Sequence, residues 1–250
     1  MDNVRIIGAR RAYEFAPDDI RLSSLTLPSV IDTIRHAFQF QTATIGTPAA
    51  SFGPVPPTLP PGLVFTLGRV VDVSGSEIPV RALNFEPRRI VVDVVGFSST
   101  IDVVYQKIRA LLADLESGDG SPVLGEPIAT LDQSVMTAHL AFSPDDVLPP
   151  SLRAVFETAM GIAPGGEPGV IVPTILVQKA FLDQEFPGGQ ISSPGVFQFA
   201  LREGFHPDDR VYFSVAPLDS DSHIRYLAEL EAAVTSARVR TESEETRSTL

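Results

Sequence analysis

Apolar and polar positions change their period several times along this chain, and each change marks an element. Val4-Arg5-Ile6-Ile7 and Ala12-Tyr13-Glu14-Phe15 read as extended and run into the turn residues Pro17-Asp18-Asp19. Behind Pro28-Ser29, the residues Val30, Ile31, Ile34, Ala37 and Phe38 recur at helical spacing and predict an amphipathic helix. From Thr42 to Gly62 six prolines, each lacking an amide hydrogen, predict a loop. Three strands follow over Leu63–Val73, Ile78–Phe85 and Ile90–Val95, the first two joined across Ser74-Gly75-Ser76-Glu77. Gly96 ends the third. Ser98, Ser99 or Thr100 is placed to cap a helix whose apolar positions are Ile101, Val104, Tyr105, Ile108, Leu111, Leu112 and Leu115.

After the polar break Ser117–Pro122 the same order returns. An extended stretch over Ile128–Phe142 runs into Pro144-Asp145-Asp146, and a helix over Pro150–Met160 carries Leu152, Val155, Phe156 and Ala159. Strands are predicted over Val170–Phe186, Val196–Leu201 and Val211–Val215, then a helix from about Asp219 to Arg238. Phe15–Ile20 lies over Phe142–Val147 at an offset of 127, and Gly75–Val95 over Gly195–Val215 at 120. At an offset of 122, Val104, Tyr105, Ile108 and Leu112 fall on Tyr226, Leu227, Leu230 and Val234.

These matches predict an α+β fold built by tandem duplication of a strand-helix-three-strand-helix unit. Mostly antiparallel sheets would carry helices on one face, and the units would be related by a pseudo-two-fold axis. The expected boundaries are a first unit at 1–118, a linker at 119–126, a second unit at 127–238 and a polar tail at 239–250.

Composition narrows the function classes. With 31 acidic against 19 basic side chains the net charge is −12, which repels phosphate backbones and anionic lipid. The pairs Arg10-Arg11 and Arg88-Arg89 are the candidates for a local basic patch. The chain has no cysteine, so disulfides, thiolate chemistry and Cys-ligated zinc are excluded. No apolar run reaches the ~18–20 residues of a membrane-spanning helix, and a cytoplasmic protein with neither membrane nor nucleic-acid partner is expected.

Candidate chemistry is sparse. Asp18, Asp19, Asp145, Asp146, Asp208 and Asp209, in three Pro-Asp-Asp triplets, are paired carboxylates of the kind that hold Mg²⁺ or Ca²⁺. Proline followed by aspartate is also the chemistry of a turn, and that reading is preferred. His36 and His139 fall in predicted elements, where hydrogen-bonded packing is expected, whereas His206 and His223 fall in turn or cap regions and are expected in solvent. No phosphate-binding glycine loop, zinc pattern or Gly-x-Ser-x-Gly elbow occurs. Phe197 and Phe199 share one strand face with Gln198 on the other, making that face core or an interface.

The leading functional expectation is a non-enzymatic interaction or structural component of a larger assembly, without a cofactor. It would bind another protein or itself through sheet edges and the proline-rich loop 47–62, with Pro54, Pro56, Pro57, Pro60, Pro61, Phe197 and Phe199 as contacts. The alternative is a module for a small apolar ligand held between sheet and helices. A third reading is an aspartate-based, metal-dependent enzyme.

Overall fold

The computed structural model describes residues 1–46, 62–113, 115, 122–148, 150–162, 174–178 and 195–248. Among them the strands are β1 (Asp2–Glu14), β2 (Thr42–Gly46), β3 (Gly62–Val71), β4 (Glu77–Glu86), β5 (Arg89–Val94), β6 (Ala129–His139), β7 (Thr174–Gln178), β8 (Val196–Leu201) and β9 (Val211–Ala216). The helices are α1 (Leu22–Leu25), α2 (Pro28–Ala37), α3 (Ser99–Leu112), α4 (Pro150–Ala159) and α5 (Ser220–Ser248). All nine strands join one open sheet in the order β2-β3-β4-β5-β1-β6-β9-β8-β7, every neighbouring pair antiparallel. The α+β, antiparallel expectation therefore holds, and the sheet is continuous through the middle of the chain.

Side chains on a strand alternate between faces, so each strand divides its residues between two environments. On one face, Ala9, Tyr13, Leu63, Phe65, Leu83, Phe85, Ile90, Val92 and Val94 pack with Val30 and Ile34 of α2 and Ile101, Val104, Tyr105 and Ile108 of α3. The Tyr13 and Tyr105 rings stack with centroids 3.7 Å apart. Phe40 stacks on Phe38 and leans on Phe65, and its ring lies over Gly68, where a Cβ would come within 2.3 Å of it. A second cluster, Met136, Ala138, Leu140, Phe142, Phe199 and Tyr212, receives Leu227 of α5.

The other face carries charges in alternating order. Asp93 of β5 lies between Arg10 of β1, at 2.8 Å, and Arg81 of β4, at 3.7 Å. On the same three strands Arg89 of β5 lies between Glu14 of β1, at 2.5 Å, and Glu86 of β4, at 4.0 Å. Arg81 reaches across β5 to donate to the Ile7 carbonyl, passing over Gly8, where a Cβ would lie 2.6 Å from its guanidinium. Opposite charges set side by side across strands stabilise pairing, so Arg10 and Arg89 are spent within the fold, while Arg88 donates to the Phe15 carbonyl. Arg11, on the helix face, is likewise held by Asp102 and Asp132. Glu86 Oε1 is buried with no hydrogen-bond partner, and burial, helped by the nearby Glu14 carboxylate, raises its pKa against the opposing pull of Arg89.

Two elements depart from the sequence reading. Thr42–Gly46, expected as loop, is strand β2, because its β-branched residues precede the first proline, Pro48, and pair with β3. The segment expected as a polar tail continues α5 to Ser248, in keeping with the helix propensity of its glutamates and arginines. Of the strand expected over Val170–Phe186, Thr174–Gln178 is a strand and the rest lies outside the described residues. Residues 123–125 pack against the turn that follows β1: Arg21 N–H donates to the Val123 carbonyl, Gly125 N–H to the Asp19 carbonyl, and Val123 is buried.

Two substitutions test this packing. Gly68→Ala drives a methyl into the Phe40 ring and is expected to cost about 1–3 kcal/mol in chemical denaturation. Glu86→Gln removes a poorly partnered buried charge and is expected to raise stability at neutral pH by about 1 kcal/mol. A raised carboxyl pKa makes the wild type lose stability as pH rises through that pKa, so the gain is expected to shrink at acid pH, checked by thermal melts from pH 7.5 downward.

Candidate interaction surface

Helix α4 is turned opposite to the usual arrangement. Its apolar stripe, Leu152, Val155 and Phe156 with Met160 just beyond, faces solvent at 45–67% exposure, while Glu157 is 5% exposed and Arg153 is half-buried. Residues at i, i+3, i+4 and i+8 form one ridge of a helix, so these four side chains make a continuous apolar strip. Among the described elements none packs extensively against α4. A strip of this kind, exposed beside a buried carboxylate, is the pattern of a protein-binding surface rather than of scattered surface leucines.

The two sheet edges are the second feature. Among the described residues β2 ends the sheet on one side and β7 on the other. β7 reads Thr174-Ile175-Leu176-Val177-Gln178, with Leu176 63% and Val177 54% exposed and no charge along it. Its inner neighbour carries the two phenylalanines singled out in the sequence. Phe199 is buried against Phe142 and stacked on Tyr212 with centroids 4.5 Å apart. Phe197 is half-buried, edge-on to Tyr226 and to His223. Pro54, Pro56, Pro57, Pro60 and Pro61 lie outside the described residues.

Where the chain's halves meet, the contacts are polar and buried. Ser98 N–H donates to Ser220 Oγ at 2.9 Å, and Ser220 N–H donates to Ser98 Oγ at 3.0 Å. Each serine thus caps the other's helix end, and Ser98 makes no side-chain cap on its own helix. Two helix N-termini, both partially positive, meet here, and Asp102, Asp219 and Asp221 in or beside the first turns supply compensating charge. His223 is fully buried, correcting the expectation that it lies in solvent. Its Nδ1 is 2.8 Å from Ser134 Oγ and its Nε2 2.8 Å from Ser214 Oγ, and burial lowers its pKa to about 4. Serine beside histidine suggests a nucleophile, but all three side chains are sealed in the interior, which makes this a structural clamp between α5 and the strands β6 and β9.

The aspartate triplets lie in three separate turns. Asp146 accepts from Ser143 N–H and Asp209 from His206 N–H, each closing a capping box on a short 3-10 turn. Asp18 has φ 70°, and the Asp19 carbonyl anchors Gly125. Asp145 and Asp208 occupy the same two turns, and Asp208 lies 3.3 Å from His206. Among the described residues no three of these carboxylates and histidines gather as a metal site. His36 is exposed, its Nδ1 2.7 Å from the Asp32 carbonyl, and His139 is half-buried. A shallow groove of about 480 Å³ runs between Val70–Val73 and the side of α3 formed by Asp102, Val103, Gln106 and Lys107.

No family model matches the sequence, and no curated protein is significantly similar to it. Among the described residues no helix is long and apolar enough to cross a membrane.

The buried histidine gives a pH signature. Its depressed pKa means that the unfolded chain takes up a proton near the ordinary value of 6.5 while the folded chain resists until about 4. The clamp's contribution is complete above pH 6.5 and is lost as pH falls toward 4, by an amount on the order of 3 kcal/mol. Denaturation of the wild type and His223→Gln between pH 7.5 and 4.5 is expected to show a steeper acid loss in the wild type.

Proposed function

We propose that this protein is a non-enzymatic interaction or structural component of a larger assembly, which holds another protein on the outward apolar face of α4. The observation that carries this reading is the orientation of α4: an isolated soluble chain gains stability by turning Leu152, Val155 and Phe156 inward, and here they face outward while Glu157 is buried. The sheet edges supply further surface, and the proline-rich loop 47–62 remains part of the proposed contact. A cysteine-free chain needs no oxidising compartment, which accords with a cytoplasmic setting.

The scaffold behind this surface is read as a tandem duplication, with units at 1–118 and 127–238. Two self-matching contacts support it. Gly8 pairs with Val135, which lies 127 positions further on, the offset at which Phe15–Ile20 matches Phe142–Val147. Ser98 exchanges hydrogen bonds with Ser220, 122 positions further on, the offset of the matching helices. Equivalent residues touch each other in this way where a two-fold axis passes between two copies of one unit.

A second reading, a small apolar ligand, draws on the groove beside α3, whose exposed Val71, Val73 and Val103 offer it apolar wall.

The test is a quantitative pull-down from the native cells with the wild type and the double variant Val155→Ser, Phe156→Ser. Because these side chains are exposed, the variant is expected to fold with an unchanged circular dichroism spectrum and a melting temperature within a few degrees. It is expected to lose a stoichiometric partner that the wild type retains. Identical capture by both proteins, or unfolding of the variant, would remove α4 as the binding face.

A further inference from the structure

We infer that the outer edge of β7 pairs with β7 of a second copy, in an antiparallel ladder centred on Leu176 that joins two sheets across a two-fold axis. This inference rests on reading the chain as an assembly component and names one of its partners as itself.

Charge selects the edge. Copies of a chain with net charge −12 repel one another, so a self-contact must avoid setting carboxylates face to face. β7 and its neighbour β8, Thr174–Gln178 and Val196–Leu201, contain no charged residue. With Leu176 opposite its own copy, Ile175 stands opposite Val177, so apolar meets apolar. β7 also lacks the internal lysine, proline or bulge by which sheet edges are commonly blocked.

Strand direction selects the symmetry. With nine strands, all neighbours antiparallel, both outer strands run the same way. Head-to-tail joining would set β2 parallel to β7, whereas a two-fold axis sets β7 antiparallel to itself and continues the existing ladder. The chain already uses such a junction at its centre, where β1 and β6 pair antiparallel about Gly8 and Val135. At the far end of the sheet the outer edge of β3 is occupied by the five-residue strand β2, so an edge of this kind accepts a short strand. β2 itself offers only Ile45 as a large exposed apolar side chain, against Leu176 and Val177 on β7. A ladder of this length is a small interface, and its dissociation constant is expected on the order of micromolar.

Sedimentation velocity on the full chain over a concentration series tests this. The wild type is expected to show a monomer–dimer equilibrium. Leu176→Lys and Leu176→Glu each place like charges opposite one another at the centre of the ladder, and each is expected to be monomeric with an unchanged circular dichroism spectrum. An equimolar mixture of the two is expected to restore the dimer, because position 176 faces itself only in this register. A wild type that stays monomeric at the highest concentration reached, single variants that still dimerise, or a mixture that stays monomeric would overturn the inference. Partner capture through α4 that survives in a monomeric wild type would leave the interaction function standing without self-pairing. A dimer that persists while α4-dependent capture is absent would do the reverse.

Discussion

The antiparallel pairing of β1 with β6 is the constraint on which the rest of the molecule depends. It joins Asp2–Glu14 to Ala129–His139, residues more than a hundred positions apart in sequence, and so makes one sheet of two groups of strands. Loop-closure entropy opposes a contact of such separation, and local propensity contributes nothing to it. It is held by its hydrogen-bond ladder and by side chains that cross it. Arg11 of β1 reaches Asp132 of β6 and Asp102 of α3, and the reciprocal bonds of Ser98 and Ser220 close the helix layer above. Arg11 is 15% exposed at its side chain, so only the loss of both carboxylates would strand this largely buried charge.

The two halves use this junction unequally. In the first, α2 and α3 cover an aromatic and aliphatic core running from Phe38 and Phe40 through Phe65 and Phe85 to Tyr13 and Tyr105. In the second, among the described residues, a cluster around Phe142, Phe199 and Tyr212 receives α5, while α4 turns its apolar strip outward. An exposed apolar helix is tolerable in a stable domain when the remainder of the core carries the fold.

Several polar groups inside the molecule tie distant elements together. His223 satisfies both ring nitrogens on serine hydroxyls, and Tyr212 donates to the Phe142 carbonyl. Asp146 and Asp209 are consumed as caps. Each of these groups is placed where a buried or terminal polar atom needs a partner.

Much of this was legible in the chain alone. Period-two and period-3.6 patterns fix element type locally, so the strands from Leu63 to Val95 and the helix through Tyr105 could be read from residue spacing. Turn chemistry is equally local, and the Pro-Asp-Asp triplets declared their turns. An amphipathic pattern names a stripe without saying which way it points. Leu152, Val155 and Phe156 read like core until the sheet takes its place and leaves them outside. His223 and Ser220 gained their roles in the same way, because Ser134, Ser214 and Ser98 reach them only when distant strands and helices pack together. Sequence determined what each segment is, since that rests on neighbours three or four residues away. The tertiary structure decided what each segment faces, since burial is a property of contacts that the local chain does not contain.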